Sequence, residues 1–130
     1  MGPLSAVDRL LAQARLGLQR VDAARAKQLS DEGGLLIDIR PAAQRAAFGE
    51  IPGALIVERN NLEWRLDPGG SHRIPEAEDP DRPVVIVCQE GYASSLAAAS
   101  LLQLGRTAVT DLDGGFVAWR EAGLPITPGH

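Results

Sequence analysis

The stretch Pro83-Val84-Val85-Ile86-Val87-Cys88-Gln89-Glu90-Gly91-Tyr92-Ala93-Ser94-Ser95 decides the fold. Its first half is the apolar run of a strand, and the residues from about Ser94 to Leu104 have the pattern of a helix. No charged residue occurs between Glu90 and Arg106, so this helix is apolar nearly all round and is expected to lie buried against a sheet. Ligands of open parallel sheets bind beyond the carboxyl ends of the strands, and Cys88, the only cysteine of the chain, stands at such an end. The N–H groups left unpaired at a helix start, together with the helix dipole, favour an anion there, so Cys88 is a candidate nucleophile.

The same grammar extends outward in both directions. Leu35 to Ile39 reads as a buried strand, Pro41 to Ala47 as a short helix and Ala54 to Val57 as another strand. Beyond the central stretch come a strand at Ala108 to Leu112 and a helix after Gly114-Gly115 through Trp119. This alternation predicts an α/β domain with a parallel sheet. Asp67 to Arg82, with three prolines, two glycines and several acids, reads as a long surface loop, a length that is uncommon unless functional or mobile. At the front, Ser5 to Arg15 has helical periodicity ended by Gly17, Leu18 to Val21 is a short strand, and Asp22 caps a helix through Leu29 that stops at Gly33-Gly34. Residues 1–17 are expected to be a helical extension and 18–130 the domain proper.

Composition narrows the class. The chain of 130 residues suits one domain, and 45% apolar with 23% charged residues is the balance of a soluble globular protein. A net charge of −4 and no Lys/Arg block argue against nucleic acid as a partner. One cysteine permits no internal disulfide, and neither a signal peptide nor a membrane-crossing run is present, which points to the cytoplasm. One Cys and two scattered His cannot assemble a metal-ligand set, and no cofactor is implied.

Several short motifs stand in a characteristic order: Asp38-Ile39-Arg40; Gly49-Glu50-Ile51-Pro52-Gly53-Ala54; Val87-Cys88 with Gly91 and Ser94-Ser95; and Leu112-Asp113-Gly114-Gly115 with Trp119, Gly123 and Pro125. In order and spacing they closely resemble the rhodanese-like sulfurtransferases over about residues 18 to 127. The resemblance implies a three-layer α/β/α sandwich on a five-stranded parallel sheet of order 3-2-4-5-1, with Cys88 carrying sulfur as a persulfide. It further implies a sulfur donor, thiosulfate or a low-molecular-weight persulfide, and an acceptor that is cyanide, a thiol or another protein.

The chemistry suits the residues independently. A free thiol with a pKa near about 8.5 is only a few per cent thiolate at neutral pH, and a helix start can lower that value substantially. The loop Gln89, Glu90, Gly91, Tyr92, Ala93 and Ser94 would hold the anionic persulfide on backbone N–H groups running on to Ser95, and no general base is needed. The competing reading of Cys88 is a small buried hydrophobe, since free cysteine is among the most buried residue types. With no second cysteine to collapse the persulfide into a disulfide, sulfur must leave to an external acceptor.

Loop length speaks to substrate. Relatives that act on phosphate, like the dual-specificity phosphatases they resemble, place Arg after Cys and five residues, because a guanidinium grips the phosphoryl oxygens. Here that position is Ser94, so phosphatase and arsenate-reductase readings lose their cation. Many sulfurtransferase relatives carry a basic residue just before the serine aligned with Ser94; here it is Ala93, and Glu90 adds a negative charge. Either a cation arrives from elsewhere, with Arg40, Arg59, Arg65 and Arg73 as candidates, or the site takes a protein or low-molecular-weight persulfide rather than thiosulfate. Arg59 and Arg65 follow a strand end and are the preferred suppliers, against the simpler reading that both are solvated.

Asp38 is expected to order the turn at its strand end. His72 could swing over the site or stand by, and His130, the last residue, is expected to be mobile. Trp64 could pack over the site or plug the core, and Tyr92 could line the pocket or simply face solvent. Two rival functions stay open: a rhodanese-fold module that binds a protein partner through the Cys88 loop with little turnover, and a redox sensor working through sulfenic acid.

Overall fold

The strands are β1 (Leu35–Asp38), β2 (Leu55–Ile56), β3 (Val84–Val87) and β4 (Val109–Asp111), and they pair in parallel in the order β2-β1-β3-β4. The helices are α1 (Ala6–Arg15), α2 (Ala23–Asp31), α3 (Ala42–Phe48), α4 (Leu62–Leu66), α5 (Ala93–Leu102) and α6 (Gly115–Glu121). The computed structural model describes residues 4–129, and His130 lies outside them. No helix among the described residues is long and apolar enough to cross a membrane.

Alternation along β1 and β3 divides the core in two. Leu35, Ile37, Val84 and Ile86 face a cluster with Leu62 and Leu66 of α4 and with Ala97, Ala98 and Leu101 of α5. Leu36, Val85 and Val87 face the opposite cluster, with Ala23 and Ala26 of α2 and with Phe116 and Trp119 of α6. Side chains of successive strand residues point to opposite faces, so the two apolar runs demand cover on both sides, and three layers result. As its uncharged sequence requires, α5 is covered by the sheet on one side and by α1 and α4 on others.

The expected sheet of five strands is corrected to four. Leu18 to Val21, expected as the first strand, makes only an isolated parallel bridge, Val21 to Leu112, outside β4. The cause is length: Leu18 N–H still donates to Arg15 O in the turn that ends α1, and Asp22 already caps α2 through the Arg25 N–H. Too few residues remain for a ladder, although the order of the other four strands is as expected.

The 67–82 segment is a surface loop containing one turn of 3₁₀ helix at Pro75–Ala77. Arg106, buried, pins it by donating to the carbonyls of Leu66 at 3.1 Å, Ala77 at 2.9 Å and Asp79 at 3.0 Å. On the same side Glu63 ties α4 to α5. It accepts from Ser100 Oγ at 2.5 Å and from Arg59 Nη1 at 2.8 Å. Partial burial opposes its charge, but the Ser100 and Arg59 hydrogen bonds outweigh that and hold Glu63 below the ordinary carboxylate range.

Replacing Arg106 by Met leaves buried carbonyls unpaired and should cost about 2–4 kcal/mol, read as a lower denaturant midpoint with faster amide exchange confined first to 67–82. Because the Glu63 value is depressed in the fold, its contribution is full above the ordinary carboxylate pKa and is lost as pH falls through the lower folded value. Glu63→Gln should therefore flatten the acid limb of the stability–pH curve, and an unchanged limb would contradict this.

Candidate active site

Strand β3 ends at Val87, and the next residue, Cys88, is 7% exposed at the carboxyl edge of the sheet. Its Sγ accepts the N–H of Gly91 at 3.1 Å and of Ser94 at 3.3 Å. On the α6 side the loop is held by backbone hydrogen bonds: Phe116 N–H donates to Cys88 O at 2.8 Å and Val117 N–H to Gln89 O at 3.1 Å. This approach needs glycine. A Cβ on Gly115 (φ +59°) would overlap the Cys88 carbonyl, and one on Gly91 (φ +91°) would meet Gly114 N at 2.7 Å.

Across a planar trans peptide the N–H lies opposite the preceding carbonyl. With the Cys88 and Gln89 carbonyls turned toward α6, the N–H groups of Gln89 and Glu90 point the other way. Among the described residues neither has a hydrogen-bond partner, nor do those of Tyr92 and Ala93. The Ser95 N–H, expected in the same ring, instead donates to Tyr92 O at 3.1 Å. Two loop N–H groups thus meet the thiol, and four more are without a partner among the described residues.

The start of α5 is fixed by Asp111 at the end of β4. This carboxylate is fully buried and accepts from Ser94 Oγ at 2.7 Å, Ser95 Oγ at 2.8 Å, Arg20 Nε at 3.0 Å and Arg20 Nη2 at 3.1 Å. Burial opposes the charge on Arg20, but the hydrogen bond to Asp111 and the negative charges of Asp111 and Asp113 outweigh it and raise its pKa. Arg20 Nη2 also donates to Gly91 O at 2.7 Å. Arg15, the last residue of α1, donates to the same oxygen at 2.9 Å and to Ser95 Oγ at 3.0 Å, with its guanidinium 5.9 Å from the centre of the Tyr92 ring.

Of the expected site residues, the structure brings Asp38 and Arg40 to the loop. Both are buried; Arg40 pairs with Asp38 (Nη2 to Oδ2, 2.8 Å), donates to Gln89 Oε1 at 3.0 Å and lies 4.2 Å over the Phe116 ring. Asp38 orders its turn by accepting the Arg40 N–H at 3.0 Å. Arg59, Arg65 and Arg73 are engaged elsewhere: Arg59 on Glu63, Arg65 on the His72 carbonyl at 2.7 Å, Arg73 on the Gly70 carbonyl at 3.0 Å. Glu90, Tyr92 and Ala93 are exposed on the loop rim, and Trp64 and His72 are exposed on the surface.

Arg15 and Arg20 escaped the sequence reading. For Arg20 a signal existed, since a strand ending at Val21 beside the last strand of a parallel sheet delivers its neighbours to the carboxyl edge. For Arg15 none did, because the helix end that carries it packs on α5 and its contact with Gly91 spans 76 positions.

A rhodanese-like domain model matches residues 22–122. A sulfurtransferase of Allochromatium vinosum is 43% identical over 101 residues, spanning 77% of this chain and 85% of that protein. Thiosulfate sulfurtransferase GlpE of Pseudomonas aeruginosa is 35% identical over 103 residues, 79% and 84% of the two chains. A structure from Rhodopseudomonas palustris, of unknown function with tyrosine phosphatase named as a candidate activity, superposes with a TM-score of 0.84 at 30% identity over 97% of each chain. With a cysteine at the end of a central parallel strand held by two loop amides, and with this family model and these relatives matching over most of its length, the chain belongs to the rhodanese-like family.

Proposed function

We propose that the protein is a sulfurtransferase that carries sulfane sulfur as a persulfide on Cys88. The observation that carries this reading is the Cys88 Sγ held by two N–H donors, with four more loop amides unengaged among the described residues. A terminal persulfide sulfur is an anion, and convergent backbone donors at a helix start stabilise one without a side-chain base.

The Cys88 thiolate attacks the outer sulfur of the donor; the donor S–S bond breaks, and sulfite (from thiosulfate) or a thiolate (from a small persulfide) leaves with the electron pair. In the second half an acceptor, cyanide or a thiolate of a small molecule or protein, attacks the outer sulfur, and Cys88 departs as thiolate. A single-cysteine carrier of this kind suits the reducing cytoplasm. Glu90 on the rim and the absence of a cation within the loop favour a persulfide, whose reacting end carries a single negative charge, over thiosulfate, which carries both of its charges there.

Phosphoryl transfer is disfavoured at the same site. The position where a phosphate-gripping arginine would stand is Ser94, whose hydroxyl is buried on Asp111. A second reading, a module that binds a protein partner through the loop, is favoured by the exposure of Glu90 and of Tyr92, which is 62% exposed.

Mass spectrometry after incubation with thiosulfate, and separately with glutathione persulfide, should show one added sulfur atom on Cys88, more from the latter. Cys88→Ser should reduce the addition and any transfer to cyanide to background. Persulfide surviving in that variant would defeat the assignment, and no addition from either donor would favour the binding module.

A further inference from the structure

The loop from Cys88 to Ser94 contains Glu90 and no basic residue, yet it must hold a thiolate and, in a sulfur carrier, a persulfide. Three guanidinium groups touch it. That of Arg40 reaches the Gln89 side chain, but its charge is matched by the fully buried Asp38. Those of Arg15 and Arg20 meet on one atom, the Gly91 carbonyl oxygen, at 2.9 and 2.7 Å.

That convergence has two physical consequences. Gly91 alternates its groups, with its N–H on Cys88 Sγ and its carbonyl on the two arginines, so anchoring the carbonyl restrains the residue whose N–H faces sulfur and fixes the peptide plane that carries the Tyr92 N–H. All described peptide bonds are trans, so the Tyr92 N–H lies opposite the Gly91 carbonyl and is turned away from both guanidiniums, left free to receive an anion. The charge balance is also favourable. Arg20 is matched by Asp111 and by Asp113, whose side chain is 68% exposed, whereas both hydrogen bonds of Arg15 go to neutral oxygens. The Arg15 charge is left to act on the loop.

We infer that Arg15 and Arg20 form a clamp on the Gly91 carbonyl that positions the Cys88 loop, and that Arg15 supplies the positive charge which the loop itself lacks. Both are positioning residues, acting on sulfur through Gly91. The inference rests on the sulfur-carrier reading for its purpose but not for its test. The helix ending at Arg15, together with the turn to Arg20, thereby becomes part of the site rather than an appendage. The charged and titratable groups facing this corner are Arg15, Arg20, Asp111, Asp113, Glu90, Tyr92 and, beneath the loop, Arg40.

The test is the rate of Cys88 alkylation by iodoacetamide, which reports thiolate and needs no sulfur donor. Arg15→Gln should slow it about threefold near neutral pH, and the pair Arg15→Gln/Arg20→Gln about tenfold, with little change at about pH 10, where a thiol ionises regardless. Adding Ala93→Arg to the pair should recover most of the loss. Arg20→Gln disturbs the buried Asp111, so thermal melting accompanies it, and Arg15→Gln, which leaves that ion pair intact, decides alone if the pair fails to fold. An unchanged rate in Arg15→Gln near neutral pH, or equal slowing at both pH values, overturns the clamp. Failure of sulfur loading in the parent protein would overturn the carrier reading and leave this result standing.

Discussion

The interaction on which the site depends is the burial of one carboxylate. Asp111 has no exposure to water, and an unpaired charge in that position would be prohibitive, so its oxygens dictate what surrounds them. Two serine hydroxyls at the start of α5 and the forked guanidinium of Arg20 satisfy them. The consequence reaches three elements: the end of β4, the first turn of α5 and the segment before α2 are locked in one geometry. Breaking a buried pair of this type costs about 3–5 kcal/mol, a large share of a domain's total of roughly 5–15 kcal/mol. Arg20 therefore has a structural reason to exist. Arg15, which pairs with no buried acid, lacks one of comparable size; it is held by neutral oxygens, the Gly91 carbonyl and Ser95 Oγ.

The loop's shape has a separate cause, the close approach of two backbones. Gly114 and Gly115 bring the start of α6 against Cys88 and Gln89, and Gly91 bends the chain over Gly114. Because the carbonyls are consumed by α6 on one side, the amides are presented on the other. A helix dipole contributes as well, but the specific hydrogen bonds to Sγ are what distinguish this cysteine from one merely buried in a core.

Much of this was legible in the chain. The apolar runs at Leu35 and Val84, the uncharged span after Glu90 and the glycine pair at 114–115 dictate strands, a buried helix and a tight turn through local physics. The Cys88 loop was legible for the same reason, since strand end and helix start are adjacent in sequence. What escaped depended on distance. The missing fifth strand was decided by the short span between the end of α1 and the Asp22 cap. The source of positive charge was decided by contacts of 71 and 76 positions, which no local pattern reports. Arg59 looked well placed because it follows a strand, but a glutamate one helical turn later holds it.

The placement of charge bears on which donors the site admits. Its cations lie behind the loop, on the carbonyl side of Gly91, while Glu90 stands exposed on the rim. Thiosulfate, with both charges on the group that reacts, would meet the negative rim before it gained anything from the arginines, whereas in the proposed carrier the charge on sulfur bound to Cys88 would lie close to the loop donors. Across water the rim repulsion is weak, on the order of 1 kcal/mol at contact, but it acts on approach and scales with donor charge. In the proposed carrier this arrangement would stabilise a bound anion more than it attracts a free one, a balance suited to taking sulfur from thiol-borne persulfides.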